Sequence, residues 1–163
     1  QIKVASGEKL KISQNDIKFK GHSIECRINA EDPKNFNPSP GKINTYHPPG
    51  GNGVRVDACI YNDYNVVPYY DSLIGKLIVH SSTRAEAVEK MKRALNEFVI
   101  DGINTTVDLH KKIISSTPFN DYKYSINWLA DFLKKFLSFK FGTKQPSVTA
   151  LPLSTIPRRS PWP

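Results

Sequence analysis

The chain of 163 residues contains only two cysteines, Cys26 and Cys59, and no CxxC motif. This pattern argues against a structural zinc module and against a scaffold held together by disulfides. No hydrophobic run approaches the roughly 20 residues that a membrane-spanning helix needs, and the first residues lack the hydrophobic stretch of a signal peptide. We therefore expect a globular domain in a soluble, reducing compartment, with no membrane partner.

Motifs of several enzyme classes are also missing. There is no GxGxxG or GxxxxGK[ST] phosphate loop, no HExxH zinc motif and no GxSxG nucleophile elbow. The glycine-rich residues 50–53 precede a predicted strand, so they lack the helix N-terminus that binds phosphate in other glycine loops. The histidines have no ligand spacing and receive no role: His22, His47, His80 and His110. Residue patterns alone therefore define no complete catalytic or metal site.

Positive charge is in excess, with 23 basic against 15 acidic residues and a net charge of +8. Half of that excess lies in residues 138–163, which contain no acidic residue and five of the twelve prolines. We predict a domain at residues 1–137 and a disordered or extraneous tail at 138–163. In the domain the two signs of charge are interspersed, so a nucleic-acid partner is not expected, although a basic nucleic-acid binder remains a minor alternative.

Alternating hydrophobicity predicts strands in the first half of the chain. Ile24, Cys26, Ile28 and Ala30 fall on alternate positions and predict a half-buried strand over residues 22–30. Further strands are predicted at about 42–47, at 54–60, where the valines face inward and Arg55 outward, and at about 73–80. Prolines and turn formers separate these strands.

The hydrophobic period changes to 3.6 after Ser82. Thr83 and Glu86 form a capping box, which predicts a helix to about Val99. A second helix, capped by Asn104 or Thr105, should end before Pro118, and a third should begin at Ser125 with Ile126, Leu129, Phe132 and Phe136 on its apolar face. Strands followed by helices predict an α+β fold, an antiparallel sheet with the helices packed on one side.

Arg55 is the strongest candidate for a functional residue. It follows a flexible glycine turn on the predicted solvent-facing side of a strand, where a guanidinium presents a planar set of donors. Spacing alone favours an ordinary surface arginine, paired with Asp57 or with charges on a neighbouring strand. Asp71 and Lys76 could line a site, but an aspartate in a turn more often bonds to its own backbone.

Five segments together carry a family resemblance. They read GHSIECRINAEDP (21–33), PSPGKI (38–43), PGGNGVR (49–55), PYYDSLIGKL (68–77) and DGINT (101–105). In this order and spacing they closely resemble the C-terminal domain of biotin carboxylase, and the resemblance extends over about residues 8 to 135. From about Ser138 onward nothing matches.

The resemblance implies an ATP-grasp ligase that converts bicarbonate and MgATP to carboxyphosphate and carboxylates biotin on a carrier protein. The residues that bind ATP and Mg²⁺, the bicarbonate-binding lysine and the catalytic glutamate and arginine of this family lie upstream of the matched stretch. We therefore expect the chain to be a piece of a longer protein, inactive alone. One functional residue carries over: Arg55 matches the family arginine that contacts bicarbonate and the ureido oxygen of biotin.

The resemblance also implies partners: a biotin carboxyl carrier protein, carboxyltransferase subunits and a second copy of the enzyme, with dimer contacts expected near residues 79–84. The match is closest to the biotin carboxylase of acetyl-CoA carboxylase, which acts in fatty acid biosynthesis, and implies a bacterial cytoplasmic, plastid or mitochondrial location. Alternatives are the equivalent domain of pyruvate or propionyl-CoA carboxylase, and an interaction module that keeps the fold without the chemistry.

Overall fold

The computed structural model describes the backbone of residues 1–140 and the side chains of residues 1–134. The chain divides into one compact unit of residues 1–125 and a second that begins at Ile126. The strands of the first unit are β1 (His22–Asn29), β2 (Gly41–Lys42), β3 (Thr45–His47), β4 (Val54–Ala58), β5 (Asn65–Val66), β6 (Leu73–Ser81) and β7 (Val99–Asp101). Its helices are α1 (Ile2–Ala5), α2 (Arg84–Glu97), α3 (Val107–Ser115) and α4 (Thr117–Asn120), with a 3₁₀ turn at Gln14–Asp16. The second unit contains α5 (Trp128–Lys140).

The central sheet consists of β1, β6 and β4, paired antiparallel with β6 in the middle. Its register places Cys26 opposite Leu77, which in turn lies opposite Val56. Because side chains alternate between the two faces of a strand, every second residue of these strands joins the same buried face. The alternation predicted for the first strand is confirmed, since Cys26, Ile28 and Ala30 are buried.

Helix α2 covers the buried face of the sheet. The Glu86 N–H donates to the Thr83 hydroxyl (3.3 Å), and the Ser82 N–H donates to the Glu86 carboxylate (3.2 Å), which confirms the predicted helix start. Five of its residues are buried in the core: Ala87, Val88, Met91, Ala94 and Leu95. Helix α3 packs on α2 and β1. The predicted α+β arrangement, with helices that follow the strands and pack on the sheet, is confirmed.

Two predicted boundaries near β7 are wrong. The strand predicted at 42–47 is two short strands, β2 and β3, which pair with β5 and β7 respectively. The helix predicted to reach Val99 ends at Glu97, and the chain then pairs with β3. Phe98, between helix and strand, is 4% exposed and packs edge-on against the Tyr46 ring, 6.0 Å between centroids. Pairing with β3 supplies the backbone hydrogen bonds that a further helical turn would have made.

Helix α3 begins later than the sequence predicts. Neither Asn104 nor Thr105 caps it, because the helix begins after Thr106. The buried Thr106 hydroxyl accepts a hydrogen bond from the Asn29 N–H (3.0 Å) and donates to the Arg27 carbonyl (3.2 Å). This side chain therefore ties the start of α3 to β1.

The second unit also begins its helix later than predicted. Helix α5 begins at Trp128, and Ile126, which the sequence predicts on its apolar face, lies outside it and is 98% exposed. Within α5 the rings of Trp128 and Phe132 lie 4.7 Å apart, as expected for residues four apart on a helix. Most of the predicted tail lies outside the described residues, which end at Lys140. Among the helices of the described residues, none has the length and the apolar composition of a membrane span.

Replacing Thr106 by valine preserves the size of this side chain and removes its hydroxyl. We expect the 163-residue chain to lose about 1–3 kcal/mol of unfolding free energy, because the partly buried Asn29 N–H loses its acceptor. Urea unfolding measures this loss. Thr105→Val, at the neighbouring half-buried residue, is the matched control and should stay within about 0.5 kcal/mol of the parent. Equal losses in the two variants would contradict the role assigned to the hydroxyl.

The pH dependence of stability should report on His110. Its Nε2–H donates to the Arg27 carbonyl (2.8 Å), while desolvation by burial lowers the pKa of His110 from 6.5, an effect that this hydrogen bond only partly opposes. The unfolded state then binds more protons than the folded state, so stability is lost as the pH falls below about 6.5. Unfolding midpoints measured against pH should show a smaller loss for His110→Gln than for the exposed-residue control His22→Gln. An unchanged loss in His110→Gln would contradict this assignment.

Candidate functional site

The outer face of the central sheet, opposite the helices, carries charged side chains in register. Arg55 on β4 lies opposite Ile78 on β6, and Asp57 lies opposite Lys76. Lys76 lies in turn opposite Arg27 on β1. Pairing of the three strands thus gathers charges that are far apart in the sequence into one small area.

Arg55 projects from this outer face near the start of β4. Its side chain is 73% exposed, whereas Val54 and Val56 on either side are partly buried and pack against the core. The outward orientation predicted from the alternation is therefore confirmed. Arg55 Nε donates to Asp57 Oδ1 at 2.8 Å, the pairing expected of a surface arginine. This hydrogen bond raises the pKa of the Arg55 guanidinium and lowers the pKa of the Asp57 carboxyl.

A glycine turn determines where β4 begins. Gly53 has a φ of 69°, and a Cβ there would clash with the His80 carbonyl oxygen. The close approach lets the His80 N–H donate to the Gly53 carbonyl at 2.8 Å. Helix α2 holds the same corner, because Arg93 donates to the Gly50 carbonyl (3.1 Å) and Lys90 to the His80 carbonyl (2.8 Å). The turn is thereby tied to both β6 and α2.

The other sequence candidates make local contacts. Asp71 accepts a hydrogen bond from the Leu73 N–H (2.8 Å), which is the turn role that the sequence favoured. Lys76 lies on the outer face, and its charge adds to the effect of Arg55 on the pKa of Asp57. Within the described residues no group of three or more His, Cys, Asp or Glu side chains could hold a metal ion.

Sequence reasoning missed a polar network next to this sheet. Asn29 Nδ2 donates to Glu31 Oε1 (3.1 Å), and the Ser72 hydroxyl donates to the same oxygen. Among the described residues, the buried Oδ1 of Asn29 has no hydrogen-bond partner. The network connects the end of β1 to the turn before β6. One feature of the sequence could have pointed to this network: Glu31 and Ser72 each lie in one of the five resemblance segments.

The segment expected to make dimer contacts, residues 79–84, is partly used inside its own chain. Val79 and Ser81 are buried. The Arg84 guanidinium lies between the rings of Phe119 (4.7 Å) and Tyr122 (4.3 Å) and donates to the Phe119 carbonyl (2.6 Å). The exposed residues of this segment are His80, Ser82 and Thr83, and dimer contacts there stay a prediction.

Comparisons with known proteins place these features in one family. Residues 25–131 match the family model described as the biotin carboxylase C-terminal domain. The chain is 51% identical over 128 residues to a biotin carboxylase of Pseudomonas aeruginosa, covering 78% of this chain and 28% of that protein. It is 54% identical over 120 residues to one of the subunits of pyruvate carboxylase from Methanothermobacter thermautotrophicus, covering 73% of this chain and 24% of that protein.

A solved structure matches as well. It is the biotin carboxylase domain dimer of 2-oxoglutarate carboxylase from Hydrogenobacter thermophilus, in complex with MgADP, ADP and bicarbonate. The TM-score is 0.77 with 47% sequence identity, covering 80% of this chain and 29% of that one. The chain thus spans less than a third of each of these three relatives.

Gly53→Ala tests whether the turn positions β4. We expect a loss of about 1–3 kcal/mol in unfolding free energy, because alanine is strained at this positive φ and its Cβ meets the His80 carbonyl. Gly50→Ala is the matched control, since a Cβ there meets nothing within 4 Å and φ is not positive. Chemical denaturation of the 163-residue chain compares the two. A Gly53→Ala variant as stable as Gly50→Ala would refute the close approach.

Proposed function

Because the chain belongs to the biotin carboxylase family and contains its C-terminal domain, we propose that it is part of an enzyme that carboxylates biotin on a carrier protein with bicarbonate and MgATP. The observation that carries this proposal is the outward projection of Arg55 from β4, directly after the glycine turn. This residue lies in the PGGNGVR segment that resembles the family motif. Its proposed roles are to contact bicarbonate and the ureido oxygen of biotin.

The guanidinium of Arg55 suits these two ligands chemically. Arg55 Nε donates a hydrogen bond to Asp57, whereas Nη1 and Nη2 of Arg55 have no hydrogen-bond partner among the described residues. This free edge presents parallel N–H donors, the arrangement that a planar anion such as bicarbonate accepts. Carboxylation of N1′ of biotin requires negative charge to develop on the ureido oxygen as the N–H proton leaves. A fixed cation next to that oxygen stabilises the charge, as the donors of an oxyanion hole do.

ATP and Mg²⁺ are assigned to protein outside this chain. Supporting this assignment, the chain spans 28–29% of the Pseudomonas and Hydrogenobacter relatives. In addition, the described residues offer no cluster of metal ligands. When bound elsewhere in the enzyme, MgATP would activate bicarbonate, and this domain would supply the biotin-facing arginine. We therefore expect no bicarbonate-dependent ATP hydrolysis from the chain alone.

The proposed partners are a biotin carboxyl carrier protein, carboxyltransferase components and a second copy of the enzyme. The Hydrogenobacter relative is described as a domain dimer, which supports the last of these. We favour the acetyl-CoA carboxylase of fatty acid biosynthesis as the parent complex, in the bacterial cytoplasm, a plastid or a mitochondrion. The pyruvate carboxylase relative supports a second assignment, to a keto-acid carboxylase. Assaying the complete complex with acetyl-CoA and with pyruvate distinguishes the two.

Substitution of Arg55 tests the proposed function. In the full-length enzyme that contains this chain, we expect Arg55→Ala to lower biotin carboxylation by about 100-fold or more, the cost of one oxyanion donor. Arg55→Lys should recover only part of this loss, because an ammonium lacks the planar pair of donors. Biotin-dependent ADP release measures turnover. Since Arg55 is exposed, thermal unfolding should be nearly unchanged.

Glu89→Ala is the control, because it removes an exposed carboxylate that is ion-paired with Lys92 on α2. It should leave biotin carboxylation within about twofold of the parent, as expected for a surface ion pair. Full turnover in a folded Arg55→Ala enzyme would instead favour an interaction module that keeps the fold without the chemistry.

A further inference from the structure

We propose that Asp57 is a positioning residue for biotin carboxylation, which holds the Arg55 guanidinium so that its Nη1–Nη2 edge faces the ligands. This inference rests on the proposed function of Arg55. It assigns Asp57 no contact with substrate, only the orientation of the arginine that makes that contact.

The backbone sets up the pairing. Residues two apart on a strand point to the same face, so Arg55 and Asp57 are neighbours on the outer face of β4. On β6 the residue opposite Arg55 is the uncharged Ile78, and this residue separates Arg55 from Glu25, which lies opposite Ile78 on β1. The strand geometry therefore makes Asp57 the nearest anchor for this arginine.

The atoms used in the pairing determine what remains available. A carboxylate can accept hydrogen bonds from an arginine in two ways. In the side-on arrangement Nε and one Nη donate, and in the end-on arrangement both Nη groups donate. Here Asp57 Oδ1 accepts a hydrogen bond from Arg55 Nε at 2.8 Å. The end-on edge is left free, and it is the edge suited to bicarbonate and the ureido oxygen. An anchor on the Nη edge would instead compete with those ligands.

Neighbouring residues hold the Asp57 carboxylate in place and keep it ionised. Asp57 is 44% exposed, compared with 73% for Arg55, so the carboxylate is the better-packed member of the pair. Lys76 lies opposite Asp57 on β6, with Arg27 next to it on β1. The charge of Lys76 favours the ionised carboxylate of Asp57, and that negative charge strengthens the hydrogen bond to Arg55. Without Asp57, Arg55 would have no counter-charge on its own strand, and the carboxylate in its row, Glu25, lies two strands away on β1.

A double-mutant cycle in the full-length enzyme tests the inference. We expect Asp57→Ala to lower kcat for biotin carboxylation by about 10- to 100-fold, because a misplaced catalytic group costs rate in that range. The apparent affinity for ATP and the thermal unfolding midpoint should match those of the Glu89→Ala control. In an Arg55→Ala background the same substitution should change kcat by no more than about twofold, since there is no longer a guanidinium to position.

Two further variants separate positioning from folding. Asp57→Glu keeps the charge and should restore most of the lost kcat. Asp57→Asn keeps an oxygen acceptor without the charge, is nearly isosteric and should fall between the parent and Asp57→Ala. If Asp57→Ala fails to fold, the same cycle is run with Asp57→Asn.

The outcomes distinguish this inference from the proposed function beneath it. If Arg55→Ala lowers turnover and the Asp57 variants do not, the positioning role is wrong and the function of Arg55 stands. If Asp57→Ala costs as much in the Arg55→Ala background as in the parent, Asp57 acts independently and the inference is again overturned. If Arg55→Ala itself has no effect, the proposed function fails first.

Discussion

The register of β4 on β6 is the constraint on which the candidate site depends. Burial of Val54 and Val56 against the core selects one of two possible faces for every residue of β4. A slip by a single residue would bury Arg55 and Asp57 and expose the valines, at the cost of desolvating two charges. Gly53 makes the slip harder still, since its carbonyl is bonded to the His80 N–H through an approach that only glycine permits. Packing of apolar residues thus decides where the guanidinium points.

The five resemblance segments acquire a physical meaning in the fold. Two of them pair as β1 and β6, and a third forms the glycine turn and start of β4, on the other side of β6. The hydrogen bonds of Asn29, Glu31 and Ser72 connect the first two of these segments. A fourth, DGINT, includes the end of β7, whose Asp101 pairs with Thr45. The motifs therefore mostly form paired strands and turns, and they are distributed over more than one sheet.

The parts of the fold that follow local rules could be predicted from the sequence. Alternation located β1 and β4, and a capping box located the start of α2, because both signals depend on neighbouring residues only. The errors arose where distant residues compete with local preference. Val99 continues an apolar helical pattern but pairs with β3, and Thr106 gives its hydroxyl to β1 instead of capping α3. For Arg55, spacing supplied the orientation and the partner Asp57, whereas its proposed ligands came from the family resemblance.

The most direct test of the central claim is a crystal structure of the full-length enzyme that contains this chain, grown with bicarbonate and biotin. We predict Nη1 or Nη2 of Arg55 within about 3.2 Å of an oxygen of either ligand, while Nε remains on Asp57. Ligands bound in that crystal with the Arg55 guanidinium turned away from both of them would contradict the proposed role.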